Sequence, residues 1–220
     1  MRAKFSSLWR TFTQEKFLFI YALILFGLLL ARNPFSQRTL IPNLEPFPDT
    51  FHYIVPARNF AKGEDFTISR GYGNLKPGVP PLYSLILTPF YLINSDPRMF
   101  YFANVLLSLI SLYLFYLVLK RLTKNKWLIG LGLFLFVTNF YLYWYPQWAM
   151  AENLLLPLII GSFYLILVRG SLRNIFLAAF VAIAFYATKY VAAPLALFYI
   201  IIFSIKLFFE KERYLKLGQY

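Results

Sequence analysis

Seven residues of this chain join a chemically useful side chain to an informative position: Asp49, His52, Tyr53, Lys76, Arg98, Glu152 and Lys189. Asp49 opens the stretch Asp49-Thr50-Phe51-His52-Tyr53-Ile54-Val55-Pro56-Ala57-Arg58-Asn59-Phe60-Ala61, which reads as a short helix. An aspartate there either caps the helix by accepting backbone N–H bonds or serves as a general base for a hydroxyl within hydrogen-bond reach. His52 stands three residues on, hence on a neighbouring helix face. It is the sole histidine of a chain without cysteine, which is thin support for a metal site. Tyr53 adds a phenol beside it. Glu152 begins an apolar run next to Trp144 and Trp148. It reads as an ordinary span-end acid or, at membrane depth, as a metal ligand or acceptor-orienting group. Lys189 is flanked by apolar residues and either snorkels to an interface or works. Lys76 reads as a solvated interfacial lysine or a ligand-binding one. Arg98 anchors the start of the next apolar run or binds an anion. The Glu64-Asp65 pair reads as a solvated turn.

The elements that must position these residues are set by composition. Of 220 residues, 60% are hydrophobic and only 14% charged, against about 25% charged in a soluble domain. The net charge is nevertheless +13. A basic balance can mark a nucleic-acid partner, but apolar blocks this long mark a membrane. Six stretches, 17–31, 99–119, 127–145, 153–168, 175–188 and 190–205, are candidate spans, for which about 17–25 apolar residues are needed. The second and third are long enough outright; the others borrow flanking residues. The sequence therefore predicts an all-α polytopic transmembrane bundle of about six spans, a single module over 1–220. Its first loop, 32–98, is long, extracytoplasmic and furnished with short interfacial helices. Leu82–Asn94 is read as one of these, lying along the outer interface.

Lysine and arginine collect on cytoplasmic loops, which fixes the orientation. With Leu82–Asn94 not crossing, 14 basic and 3 acidic residues fall inside, and 8 basic and 6 acidic outside. Both termini are then cytoplasmic, in an integral protein of the cytoplasmic (plasma) membrane. The basic excess records orientation and anionic lipid contact rather than nucleic acid. A retained first span is favoured over a cleaved signal sequence, because no small-x-small site follows it. Ten of the thirteen prolines lie in 32–98, which predicts an ordered, stiffened segment. Pro56 shortens or kinks the first loop helix, and Gly63 ends it. Lys76-Pro77-Gly78-Val79-Pro80-Pro81 forms an extended approach to the next helix. Tyr141, Tyr143, Trp144, Tyr145 and Trp148 form an aromatic belt at the outer interface. No Gly-rich phosphate loop, nucleophile elbow or nucleic-acid motif is present.

Asp49, Tyr53, Ala57, Gly63, Lys76-Pro77, Arg98, Ala151-Glu152-Asn153 and Thr188-Lys189, in this order and on these sides, resemble the N-terminal half of the GT-C superfamily of membrane glycosyltransferases. The relatives of protein O-mannosyltransferases and lipid A aminoarabinose transferases are nearest in pattern. The resemblance implies transfer of a sugar from a polyprenyl-phosphate carrier to a protein, lipid or glycan acceptor at the outer face. It implies that Asp49 is the catalytic base, that inversion accompanies direct attack, and that Lys76, Arg98 and Lys189 meet the donor phosphate. Glu152, His52 and Tyr53 are left as acceptor or metal candidates. No cofactor is fixed by the sequence, and a divalent metal stays open. Polyprenyl-linked sugar and membrane lipids are the expected partners, the acceptor being unknown. Many relatives carry Asp-Glu where this chain has Asp49-Thr50, and the chain is short for a whole transferase. The alternatives are an inactive fragment of such an enzyme and a non-catalytic membrane protein that binds lipid or assists assembly. An ion-coupled transporter is disfavoured, because no span carries Asp, Glu or Arg at its middle.

Overall fold

The computed structural model describes residues 15–33, 35, 48–69, 74–168 and 172–217, with side chains placed for 15–33, 35, 50–68, 76–168 and 173–209. Its described part is helical: α1 (Lys16–Ala31), α2 (Pro48–Ala61), α3 (Leu82–Ile93), α4 (Phe100–Leu122), α5 (Lys126–Val137), α6 (Phe140–Trp144), α7 (Glu152–Leu167), α8 (Leu172–Thr188) and α9 (Ala193–Leu217). Between α2 and α3 lies a two-stranded antiparallel ribbon, β1 (Ile68–Ser69) against β2 (Asn74–Leu75). Short 3-10 turns at Pro97–Met99, Tyr145–Gln147 and Tyr190–Ala192 lead into or out of the long helices.

Two helical segments are long and apolar enough to cross a membrane, Pro97–Leu122 and Tyr190–Phe209. A third joins them if α5 and the segment Phe140–Gln147 count as one broken span. The expected continuous span over 127–145 is instead bent by 54°. The cause is local: the Thr138 hydroxyl donates back to the Phe134 carbonyl, and the Asn139 side chain accepts from the Tyr141 N–H, starting a new helix. Helices α1, α7 and α8 have 16, 16 and 17 residues. At about 1.5 Å per residue they reach roughly 24–26 Å, short of a ~30 Å hydrocarbon core.

The helix ends sort into two groups. At one end, Glu15 at the start of α1 pairs with Lys120 at the close of α4, at 2.8 Å. At the same kind of end, the Lys206 ammonium of α9 donates to the terminal carbonyls of α7, Leu165 and Val168, a favourable place for a cation. The other end gathers the close of α1 and the starts of α4 and α7. There the Tyr101 hydroxyl donates to the Leu29 carbonyl, and Arg32 sits over the rings of Tyr143 and Trp144, 5.4 and 5.8 Å from their centroids. One hydrophobic core, with Leu25, Leu29, Tyr83, Phe100 and Leu133 fully buried, joins α1 through α7. A second, around Phe185, Ala196 and Tyr199, joins α7, α8 and α9. Outward faces remain apolar: Leu23, Leu131, Phe180, Ile183 and Phe198 are all more than half exposed.

Candidate functional site at the loop end of the bundle

Helix α2 runs from Pro48 to Ala61 with Pro56 inside it, so the helix continues past the proline. Gly63 ends it, as the sequence predicts: its φ is +78°, a conformation glycine adopts without a Cβ penalty. The Gly63 N–H donates to the Phe60 carbonyl and the Glu64 N–H to Asn59, the paired bonds of a Schellman close. The Asn59 side chain then donates to the Thr67 carbonyl at 2.9 Å, tying the ribbon to α2. Asp49 lies in the first turn of α2; its side chain is outside the described set.

His52 has a structural task in this arrangement. Its Nδ1 accepts a hydrogen bond from the Gly78 N–H at 3.2 Å. That bond fastens the Lys76-Pro77-Gly78 segment to the turn of α2 that follows Asp49. Lys76 itself is exposed. Tyr53 is 1% exposed and meets Tyr83 edge-on, 5.1 Å between ring centroids. It therefore packs α2 on α3 rather than facing solvent.

Arg98 is bound locally. Its Nε and a terminal nitrogen donate to the two oxygens of Asp96 at 2.9 and 2.6 Å, and its guanidinium lies 4.5 Å from the centre of the Phe35 ring. This bidentate bond, aided by the charge of Arg58, holds the Asp96 carboxyl below the usual carboxylate range. Lys189 and Glu152, 37 positions apart in sequence, form an ion pair at 2.5 Å. Glu152 Oε1 takes the ammonium; Oε2 is buried without a hydrogen-bond partner. Glu152 also lines a cavity of about 360 Å³ with Asn139, Tyr145, Asn153 and Ser108 on an otherwise mostly apolar wall. Apolar walls with a few convergent polar groups are usual for small-molecule sites. Among the described residues, no three His, Asp or Glu side chains gather as a metal-binding group.

The positions that sequence reasoning passed over are Tyr83, Asn104 and the carboxamide of Asn153. Tyr83 Oη donates to Asn104 Oδ1 at 2.6 Å, and Asn104 Nδ2 donates to the carbonyls of Pro146 and Trp148 at 3.1 and 2.9 Å. Asn153 Nδ2 donates to the carbonyls of Tyr145, Trp148 and Met150. Two carboxamides thus hold the 145–150 turn that leads into Glu152. Asn104 is fully buried. The signal was available, since a polar amide within the apolar run 99–119 asks for a partner wherever water is excluded. The aromatic belt is an assembled surface, with Phe140 stacked on Trp144 at 4.9 Å and Trp144 6.0 Å from Trp148.

The sequence candidates therefore fall into three places: Asp49, His52 and Tyr53 on the first turns of α2, with the Lys76 segment fastened there through Gly78; Glu152, which lines the cavity, paired with Lys189; and Arg98 with Asp96 at the start of α4. No protein-family model, curated protein or solved structure matches this chain.

Proposed function

We propose that this chain is a GT-C-type glycosyltransferase, or the N-terminal module of one, which transfers a sugar from a polyprenyl-phosphate carrier to a protein, lipid or glycan hydroxyl. The observation that carries the reading is the His52–Gly78 hydrogen bond. It ties the segment that follows exposed Lys76 to the first turns of α2, the helix on which Asp49 lies. In this scheme Asp49 takes the proton of the acceptor hydroxyl as its oxygen attacks the anomeric carbon. The bond from that carbon to the carrier phosphate breaks, and its electron pair leaves on the phosphate oxygen. Lys76 pairs with the negative charge as it develops there, where electrostatic stabilisation counts most. A phosphate leaving group needs little protonation, so one carboxylate suffices.

The proposed setting is the cytoplasmic membrane, crossed about six times, with both termini inside and the Asp49 end outside. The two-ended sorting of helix termini supports it, as do the exposed apolar faces of α1, α8 and α9 and the excess of basic residues at the Glu15–Lys120 end. Helices shorter than the bilayer core fit where neighbours and a locally thinned bilayer accommodate them. A second reading, a non-catalytic lipid-binding or assembly protein, is favoured by one feature: Arg98 and Lys189 already have carboxylate partners. Asp49→Asn in cells with a measurable envelope glycan separates the two. The transferase reading expects the glycan to disappear while the protein stays abundant, whereas an unchanged glycan supports the second.

A further inference from the structure

We propose that the cavity at the opposite end, between the start of α1, the close of α4 and the start of α5, binds the headgroup of an anionic phospholipid. The inference rests on the membrane setting proposed above and not on the transferase activity. The cavity holds about 370 Å³, and its lining includes Lys16, Lys120, Lys124 and Lys126 against the single carboxylate of Glu15. That is a net of three positive charges facing one space. Lys120 is committed, bonded to Glu15 at 2.8 Å and lying 5.1 Å from the centre of the Tyr116 ring. Lys16 lies 5.7 Å from the centre of the Phe17 ring, and among the described residues Lys16, Lys124 and Lys126 have no carboxylate partner.

The rest of the lining decides what kind of anion. Phe17, Leu18 and Ile129 supply apolar wall beside the ammonium groups, which a free phosphate has no use for and the glycerol and upper acyl chains of a lipid do. Trp127, next to Lys126, is 79% exposed, as a tryptophan at headgroup level would be. Farther along the same two helices, outward side chains of α1 and α5, among them Leu23, Leu128 and Leu131, are exposed and apolar, as acyl chains beside the headgroup would require. Basic pockets between spanning helices on the cytoplasmic side bind anionic headgroups in this way. The Asn125 N–H donates to the Thr123 hydroxyl, and Asn125 Oδ1 accepts from the Trp127 N–H. The turn from Lys124 into the start of α5 at Lys126 is therefore fixed before a lipid arrives.

The test uses the full chain in phosphatidylcholine vesicles, titrated with acyl-brominated phosphatidylglycerol and, separately, brominated phosphatidylcholine. The readout is the quenching of Trp127, taken as the difference between wild type and Trp127→Phe. We expect half-quenching at a much lower mole fraction of the anionic lipid than of the zwitterionic one. The triple variant K16Q/K124Q/K126Q should weaken that preference by about fivefold per lysine, on the order of 100-fold in all. Glu15→Gln, which removes the opposing charge, should strengthen it, and Lys62→Gln at the other end should leave it unchanged. A merely structural role for Glu15 would not produce that gain. The proposal is overturned if the triple variant keeps the wild-type preference, or if both lipids quench alike. It is also overturned if millimolar inorganic phosphate abolishes the preference, which would make the ligand a free anion. Failure of the chain to enter vesicles would remove the membrane setting itself, and the inference with it.

Discussion

Replacing Asn104 with leucine should unfasten the turn that presents Glu152. The swap keeps the side chain's approximate size and deletes three hydrogen bonds: one accepted from Tyr83 and two donated to the Pro146 and Trp148 carbonyls. The Trp148 carbonyl keeps its bond from Asn153, so the loss falls mainly on the Tyr83 hydroxyl and the Pro146 carbonyl. Hydrogen bonds between membrane helices average about 0.6 kcal/mol and reach about 1.7; three of them give roughly 2–5 kcal/mol. The upper half of that range applies because Asn104 and Tyr83 are fully buried, and a buried group left without a partner costs about 1–3 kcal/mol by itself. The assay is equilibrium unfolding in mixed micelles, followed by tryptophan fluorescence, since Trp144 precedes the turn and Trp148 lies within it. Tyr83→Phe in the N104L background should cost little more than N104L alone, with about 1 kcal/mol or more of coupling between the two. A loss below about 0.5 kcal/mol for N104L, within the range of ordinary surface substitutions, or a cycle with no coupling, would show that these bonds do not hold the turn.

Other outcomes follow from the same contacts. Glu152→Gln and Lys189→Gln should each destabilise the α7–α8 end more than the double variant does, with about 0.5–3 kcal/mol of coupling in micellar unfolding, because each single change strands a half-buried charge. Asp96 has a folded carboxyl pKa lowered by Arg98. Its stabilising contribution is therefore present above the ordinary aspartate value, about 3.9, and is lost as pH falls through the lower folded one. The difference in thermal midpoint between wild type and Asp96→Asn should be constant above about pH 5 and shrink below about pH 4. Topology reporters fused at Gly63 and at Lys124 should report outside and inside respectively; the same side for both would overturn the proposed orientation.

Helix positions were legible in the sequence because apolar runs bounded by Asn, Gly and Pro leave few choices. Residues 16–31, 82–93 and 152–167 form helices within a residue or two of the apolar stretches. The break at Thr138-Asn139 was not legible from hydropathy, since both sides of it are equally apolar and only the capping chemistry of Asn139 marks it. For the site, the sequence offered a set of separate candidates. It could not show that Lys189 would spend its charge on Glu152, or Arg98 on Asp96, because partner choice among a few charges is settled by helix packing. The role of His52 as an acceptor for a backbone N–H 26 residues away was hidden for the same reason. Asn104 was hidden by its surroundings: one amide hardly alters the hydropathy of a long apolar helix, yet it holds two carbonyls of the distant turn.

The role proposed for Asp49 is that of the base in a sugar transfer from a lipid-phosphate carrier. It is tested most directly with purified chain in vesicles, offered a panel of polyprenyl-phosphate hexoses and pentoses radiolabelled in the sugar, together with a detergent extract of cell envelope as acceptor. Wild type should move label out of the carrier fraction with at least one donor. Asp49→Asn should reduce that rate by about 10²–10⁴-fold, the usual worth of a positioned base, without loss of donor binding. Transfer by Asp49→Asn at the wild-type rate, or no transfer by wild type from any donor in the panel, would contradict that role.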